Sequence, residues 1–224
     1  MTIPAAGASG ADSGERDHHH NGDDDHNHEL FARLPVTDTA AQDRLHARLV
    51  DGAQRDGLLD VAYRTLETPV GSLLLAATEA GLVRVAYDVQ DHAAVLTDLA
   101  ERVSPRVLRA PGRLAQAARQ IEEYFEGRRT SFELPLDLRL TKGFRREVIK
   151  CLPDIGYGRT ESYARIAAAA GSPRAVRAVG TACATNPLPV VVPCHRVVRS
   201  DGSTGGYAGG AEAKRTLLSL EAAA

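Results

Sequence analysis

Between Val61 and Asp88, three apolar segments (VAYRTLE, SLLLAAT and LVRVAYD) are separated by Thr68-Pro69-Val70-Gly71 and by Glu79-Ala80-Gly81. Short runs rich in aliphatic and β-branched residues, each closed by turn formers, are strands joined by tight connections. They predict an antiparallel meander. Helical patterns follow at 91–103 and 112–126, the second set between Pro111 and Gly127, with a strand-like FELPLDL after it. Residues 61–138 are thus expected to form a small α+β domain.

The texture changes at Lys142. A helical FRREVIKCL segment leads through a Gly156-Tyr157-Gly158 turn to two short helices joined by Gly171-Ser172-Pro173. Gly171 suits the left-handed end of SYARIAAAA; Ser172 and Pro173 suit the N-cap and first position of the helix from 173 to 185. Two short helices around a glycine turn form a helix-turn-helix, by itself a moderate signal for DNA. On the second helix the spacing places Val176, Val179 and Cys183 towards the core. Arg174, Arg177, Ala178 and Thr181 then share the opposite face, where small side chains would let the backbone approach a groove.

Charge supports that reading. Residues 139–224 carry thirteen basic against six acidic side chains, although the whole chain has a net charge of -2. A basic module attracts phosphate, although basic surfaces also occur without that role. The acidic excess lies elsewhere, most densely in residues 1–30. That stretch has almost nothing apolar to bury and is expected to be a disordered tail. Its His18, His19, His20, His26 and His28, interleaved with Asp23, Asp24 and Asp25, read as a solvated polar segment and leave divalent-metal binding open. Residues 31–60 read as a helical extension of unassigned role, with an amphipathic helix near 39–54 carrying Leu45 and Leu49 on one face. No apolar run is long enough to cross a bilayer, and Cys151, Cys183 and Cys194 make neither a disulfide framework nor a zinc knuckle. The expected setting is the reducing cytoplasm.

The chemistry concentrates in LPVVVPCHRVVR, residues 188–199. A buried strand-like run, Val190 to Val192, passes through Pro193 into Cys194 and His195, a thiol beside a potential base. Free cysteine has a pKa near ~8.5, so a reactive thiol needs such a neighbour. Buried cysteines are also common as inert packing, and the pair alone is weak evidence.

The stretch Pro193-Cys194-His195-Arg196-Val197 resembles the methylated-DNA–protein-cysteine methyltransferases, or O6-alkylguanine-DNA alkyltransferases. The resemblance continues through Ser162-Tyr163, Arg177-Ala178-Val179-Gly180, Asn186-Pro187, Gly206-Tyr207-Ala208-Gly209-Gly210, Lys214, Leu217-Leu218 and Glu221. Weaker motifs over 61–138 resemble the family's ribonuclease-H-like domain. The implied architecture is α+β: that small domain, then a mostly helical, winged-helix-like domain with a helix-turn-helix over 139–224. Family members often have Trp in place of Ile149 and Pro in place of Gly156, both scaffold positions.

The resemblance implies DNA repair by direct reversal. Cys194 would take the alkyl group from O6 of guanine irreversibly, once per molecule. His195 would act as base through a water, and Glu221 would orient its imidazole. Tyr163 would supply a proton or hydrogen bond to N3 of the departing base, and Asn186 would orient the turn beneath Cys194. Arg177 would fill the gap left by the flipped nucleotide, with Tyr163, Arg174, Ala178 and Thr181 against the DNA. Tyr207, Ala208 and the carbonyls of Val197 and Cys194 would line the base pocket. The implied partner is duplex DNA carrying O6-alkylguanine, with O4-alkylthymine as a poorer substrate; the protein would be monomeric, need no cofactor and bind no membrane. A helix-turn-helix that binds lesions or regulates transcription without chemistry is the alternative, and a cysteine hydrolase that turns over is a third reading.

Overall fold

A computed structural model of the chain describes residues 38–223; the His-rich tail and its candidate metal site lie outside the described residues. The helix expected near 39–54 is α1 (Thr39–Arg55). Val50 and Ala53 pack against the core, and Leu49, expected on the apolar face, is 57% exposed. His46 Nε2 lies 2.6 Å from the Arg109 carbonyl.

The expected meander is present as β1 (Val61–Leu66), β2 (Leu73–Thr78) and β3 (Gly81–Tyr87), paired antiparallel. The sheet also has a strand the sequence did not reveal. The segment β4 (Val107–Arg109) runs parallel to β1 and completes the order β3-β2-β1-β4. FELPLDL, expected as a strand, makes only a bridge between Leu136 and Leu82. Pro135 interrupts it and has no N–H to donate to a ladder. A β-carbon at Gly81, where φ is +134°, would overlap the Pro135 carbonyl, so glycine lets the two segments meet.

The sheet is covered on both faces. On one, α2 (His92–Arg102) buries Val95 and Leu99 against Val61, Leu74 and Val83. Asp91 caps this helix by accepting from the amides of Ala93 and Ala94. On the other, Leu73, Leu75 and Val85 share a core with Ile121 and Tyr124 of α3 (Ala115–Phe125). That core continues without a break through Val148 and Ile149 of α4 (Gly143–Cys151) to Cys194. The candidate nucleophile therefore sits inside the main hydrophobic core.

The helix-turn-helix consists of α5 (Tyr163–Ala169) and α6 (Val176–Ala184). Ser162 Oγ caps α5 by accepting from the Arg165 amide at 3.2 Å. Gly171, with φ at +80°, ends it in the expected left-handed conformation, the Ser172 amide reaching back to the Ala167 carbonyl. Two expectations fail at the next helix. Ser172 does not cap α6: its carbonyl accepts from Ala175 in a separate turn, and the helix begins one residue after Ala175. Val176 in the first turn is 38% exposed, while Val179, Ala182 and Cys183 form the buried face. A short pair, β5 (Glu161–Ser162) and β6 (Val197–Val198), and a last helix, α7 (Gly210–Ala222), complete the fold. No helix among the described residues is long and apolar enough to cross a membrane.

Candidate active site

The apolar run before Cys194 is buried, but it is not a strand. Val191 and Val192 donate back to the Pro189 and Leu188 carbonyls, and Val190 has φ at +71°, a strained position for a β-branched residue. Asn186 braces this turn. Its Oδ1 accepts from the Leu188 amide at 2.9 Å, and its Nδ2 donates to the Val192 carbonyl at 2.9 Å and to Cys194 Sγ at 3.1 Å. Cys194 then opens a single 3-10 turn, Cys194–Arg196, rather than an extended segment.

Cys194 is completely enclosed. Burial pushes its thiol up to about 11; the bond from Asn186 and the nearby Lys214 ammonium pull in the opposite direction. At neutral pH the sulfur therefore keeps its proton until a base takes it. His195 is suited to that role. Burial holds its imidazole below the usual histidine value, outweighing the raising effect of Glu221, so it is neutral near pH 7. Its Nε2 lies 2.8 Å from Glu221 Oε1. Glu221 is ionised and can only accept, so Nε2 carries the proton and Nδ1 presents a lone pair. Nδ1 is buried and has no hydrogen-bond partner among the described residues.

Glu221 does more than orient the imidazole. Arg196 clamps it with Nε 2.9 Å from Oε2 and Nη2 2.9 Å from Oε1, while Tyr124 donates its hydroxyl to Oε1 at 2.7 Å and the Gly158 amide donates to Oε2 at 3.2 Å. Burial alone would raise this carboxyl, but the bonds from His195 and Arg196 hold it at about 2. Arg196 is anchored in turn by Nη1 on the Ile155 carbonyl at 2.6 Å. The sequence named Arg196 only as part of a motif and did not reveal Tyr124.

This cluster sets an acid limit to stability. The folded-state values of Glu221 and His195 both lie below their ordinary values, so the unfolded chain binds more protons. Their contribution is complete above about pH 6.5 and is lost in two stages, first as His195 must charge and then as pH falls from about 4.5 towards 2. Urea unfolding between pH 8 and 3 should show falling midpoints in both intervals; a flat profile would contradict the ionised Glu221.

The remaining site residues lie around this centre. Tyr163, half-buried at the start of α5, has its phenol pushed up by burial and stays protonated. A β-carbon at Gly205 would overlap its hydroxyl, which explains the glycine opening the loop. Tyr207 is buried edge-on to His195 at 6.3 Å, and its hydroxyl lies 2.8 Å from that of Tyr87 on β3. Tyr87, which the sequence did not single out, also lies against Gly209. Lys214 is fully buried and donates Nζ to the Val197 carbonyl at 2.6 Å, so that carbonyl already has one donor. Ala208 is partly exposed in the same loop. Arg177, Ala178 and Thr181 are exposed on α6, whereas Arg174, expected on the same helix face, is exposed in the turn before it because the helix starts only at Val176. The glycine-rich segment also contains an ordinary hairpin turn at 199–203, closed by Arg199 N on the Ser203 carbonyl at 3.0 Å. No group of three or more His, Cys, Asp or Glu side chains able to hold a metal occurs among the described residues.

Two family models match the chain: the ribonuclease-like domain of 6-O-methylguanine DNA methyltransferase over residues 61–138, and its DNA binding domain over 143–223. The constitutive methylated-DNA–protein-cysteine methyltransferase of Bacillus subtilis is 43% identical over 160 residues, covering 71% of this chain and 94% of the relative. The fold is similar to the crystal structure of Mycobacterium tuberculosis O6-methylguanine methyltransferase, with a TM-score of 0.64, 39% identity, and coverage of 73% of this chain and 93% of that one. The Mycobacterium tuberculosis OGT structure in complex with DNA matches with a TM-score of 0.62 and 38% identity, covering 72% of this chain and 93% of that one.

Proposed function

Because the chain belongs to the 6-O-methylguanine DNA methyltransferase family, we propose that it repairs DNA by moving the alkyl group of O6-alkylguanine onto Cys194 in a single irreversible transfer. The observation that carries this reading is the buried Cys194 thiol, held by Asn186, next in the chain to a buried His195 whose Nε2 is paired with Glu221. His195 Nδ1 takes the thiol proton through one water. The sulfur attacks the alkyl carbon, the carbon–O6 bond breaks, and a thioether forms on the protein. Tyr163 supplies a proton or hydrogen bond to N3 of the departing guanine, which lowers the barrier by neutralising the leaving group. The transfer draws on no cofactor. A thioether has no route back to a thiol in this site, so each molecule acts once; the protein acts as a monomer in the reducing cytoplasm.

O6 is out of reach in a stacked duplex, so the nucleotide must rotate out, at a cost of a few kcal/mol. Arg177 supports that step from the exposed face of α6, filling the vacated space beside Arg174, Ala178 and Thr181. Tyr207, Ala208 and the carbonyls of Cys194 and Val197 receive the base once the Gly205–Gly210 loop admits it. Arg177→Ala should slow repair of duplex O6-methylguanine by at least ~10-fold, given the unstacking energy it offsets, and leave reaction with free O6-benzylguanine nearly unchanged. Rates followed by loss of the free thiol would test this; equal losses on both substrates would remove Arg177 from the flipping step.

A further inference from the structure

A second basic feature lies beside α6, in a part of the molecule that the proposed chemistry does not use. A cleft of about 440 Å³ opens between the α2 side of the sheet and the end of α6. Its charged lining is Arg84 of β3, Asp98 and Arg102 of α2, and Arg145 of α4. Asp98 is already engaged by Arg102 at 3.0 Å, and Arg145 donates Nη2 to Thr185 Oγ1 at 2.7 Å, leaving its other N–H groups available. Arg84 differs from both. Its Nε is enclosed and has no hydrogen-bond partner among the described residues, and it interrupts an otherwise apolar strand. A buried donor left unmade is costly, and a guanidinium away from water more so. Burial pulls Arg84 below its ordinary value; the Asp98 carboxylate acts in the opposite direction and Arg102 adds repulsion.

The cleft adjoins the exposed end of α6. Thr185 and Ala184 line it and are exposed at the end of α6, the helix whose free face carries Arg177 and Thr181. β3 is bonded directly to the segment after α6, through the Val85 amide on the Pro187 carbonyl at 2.8 Å. Ala184 gives that end of the helix no cation of its own. Arg145 reaches it through its bond to Thr185, and Arg84 lines the same cleft. Two guanidinium forks, one half-buried at Arg84 and one exposed at Arg145, match the paired oxygens of a phosphodiester.

We propose that this cleft binds a backbone phosphate of the same duplex that α6 engages, with Arg84 and Arg145 as its ligands, so that the ribonuclease-like half of the chain contributes to DNA affinity. This rests on the reading of the protein as a DNA-binding alkyltransferase. Removing one phosphate ligand should make the dependence of log affinity on log salt less steep by about one unit. The full chain, titrated with a fluorescent O6-methylguanine duplex from 50 to 200 mM KCl, should show that change for Arg84→Gln. Arg84→Lys should keep the wild-type slope, and so should Arg119→Gln on the exposed face of α3. Melting temperatures identify any variant that fails to fold, and Arg145→Gln then provides a second measure of the same slope.

A wild-type slope in folded Arg84→Gln would overturn the proposal. So would a stabilisation by inorganic phosphate that Arg84→Gln abolishes without changing the DNA slope, since the cleft would then serve a free oxyanion. A wild-type protein that does not bind duplex DNA at all would instead overturn the functional reading on which the proposal rests.

Discussion

Glu221→Ala is expected to destabilise the fold by about 3–5 kcal/mol and to abolish detectable alkyl transfer, because it leaves the buried Arg196 guanidinium without its counter-ion. The same change removes the partner of His195 Nε2 and the acceptors of Tyr124 and Gly158. Loss of stability alone would not identify a role in chemistry, so Glu221→Gln is the informative companion. Its amide oxygen can still accept from Arg196 and Tyr124, which preserves part of the packing. It no longer provides the full negative charge that fixes the imidazole tautomer, and transfer should slow by about 10²–10⁴-fold, the range of a general base. Denaturant unfolding and single-turnover rates of the two variants separate these effects. A Glu221→Gln protein reacting at the wild-type rate would show that Glu221 only supports the fold.

Cys194→Ala carries the other large effect, with the opposite balance. Transfer should vanish, because the thiol is the acceptor itself and Cys183, the other fully buried thiol, has its proton held on more firmly by burial. The fold should hardly change. Asn186 keeps its bonds to Leu188 and Val192, and only its bond to sulfur is removed, worth about 1 kcal/mol. Binding to an O6-methylguanine duplex should persist, since Arg174, Arg177 and Thr181 are exposed whereas Cys194 is enclosed. Gel shift and thermal unfolding would check both parts. Residual transfer in folded Cys194→Ala would move the acceptor elsewhere.

What the sequence revealed, and what it did not, follows from the range of the interactions. The strands β1 to β3 and the helices α2 and α3 are bounded by turn residues next to them in the chain, and local pattern was enough to find them. β4 is only three residues long and exists because β1 lies beside it. FELPLDL and the run Val190 to Val192 alternate or cluster like strands. The first is interrupted by Pro135; the second is wound into a turn braced by Asn186. Burial, rather than pairing, selects apolar residues there.

The candidate site divides in the same way. Cys194, His195 and Arg196 are adjacent in the chain, and Arg177 and Tyr163 sit at recognisable positions in a helix-turn-helix. The partners that fix the chemistry of Glu221 are remote: Tyr124 lies 97 residues before it and Gly158 lies 63 before it. No local pattern marks a tyrosine on α3 as a ligand of a carboxylate on α7. The Tyr87–Tyr207 pair spans 120 residues and was hidden for the same reason.

A sacrificial acceptor at Cys194 takes up one methyl group and no more, so the methyl groups gained per molecule decide its role. Full-length protein would be incubated with excess duplex carrying a labelled methyl at guanine O6, then digested and examined by mass spectrometry. One methyl per protein molecule is expected, on the peptide containing Cys194, with no further loss of label from DNA after that equivalent. Removal of many methyl groups per molecule, or demethylated DNA with Cys194 unmodified, would contradict it.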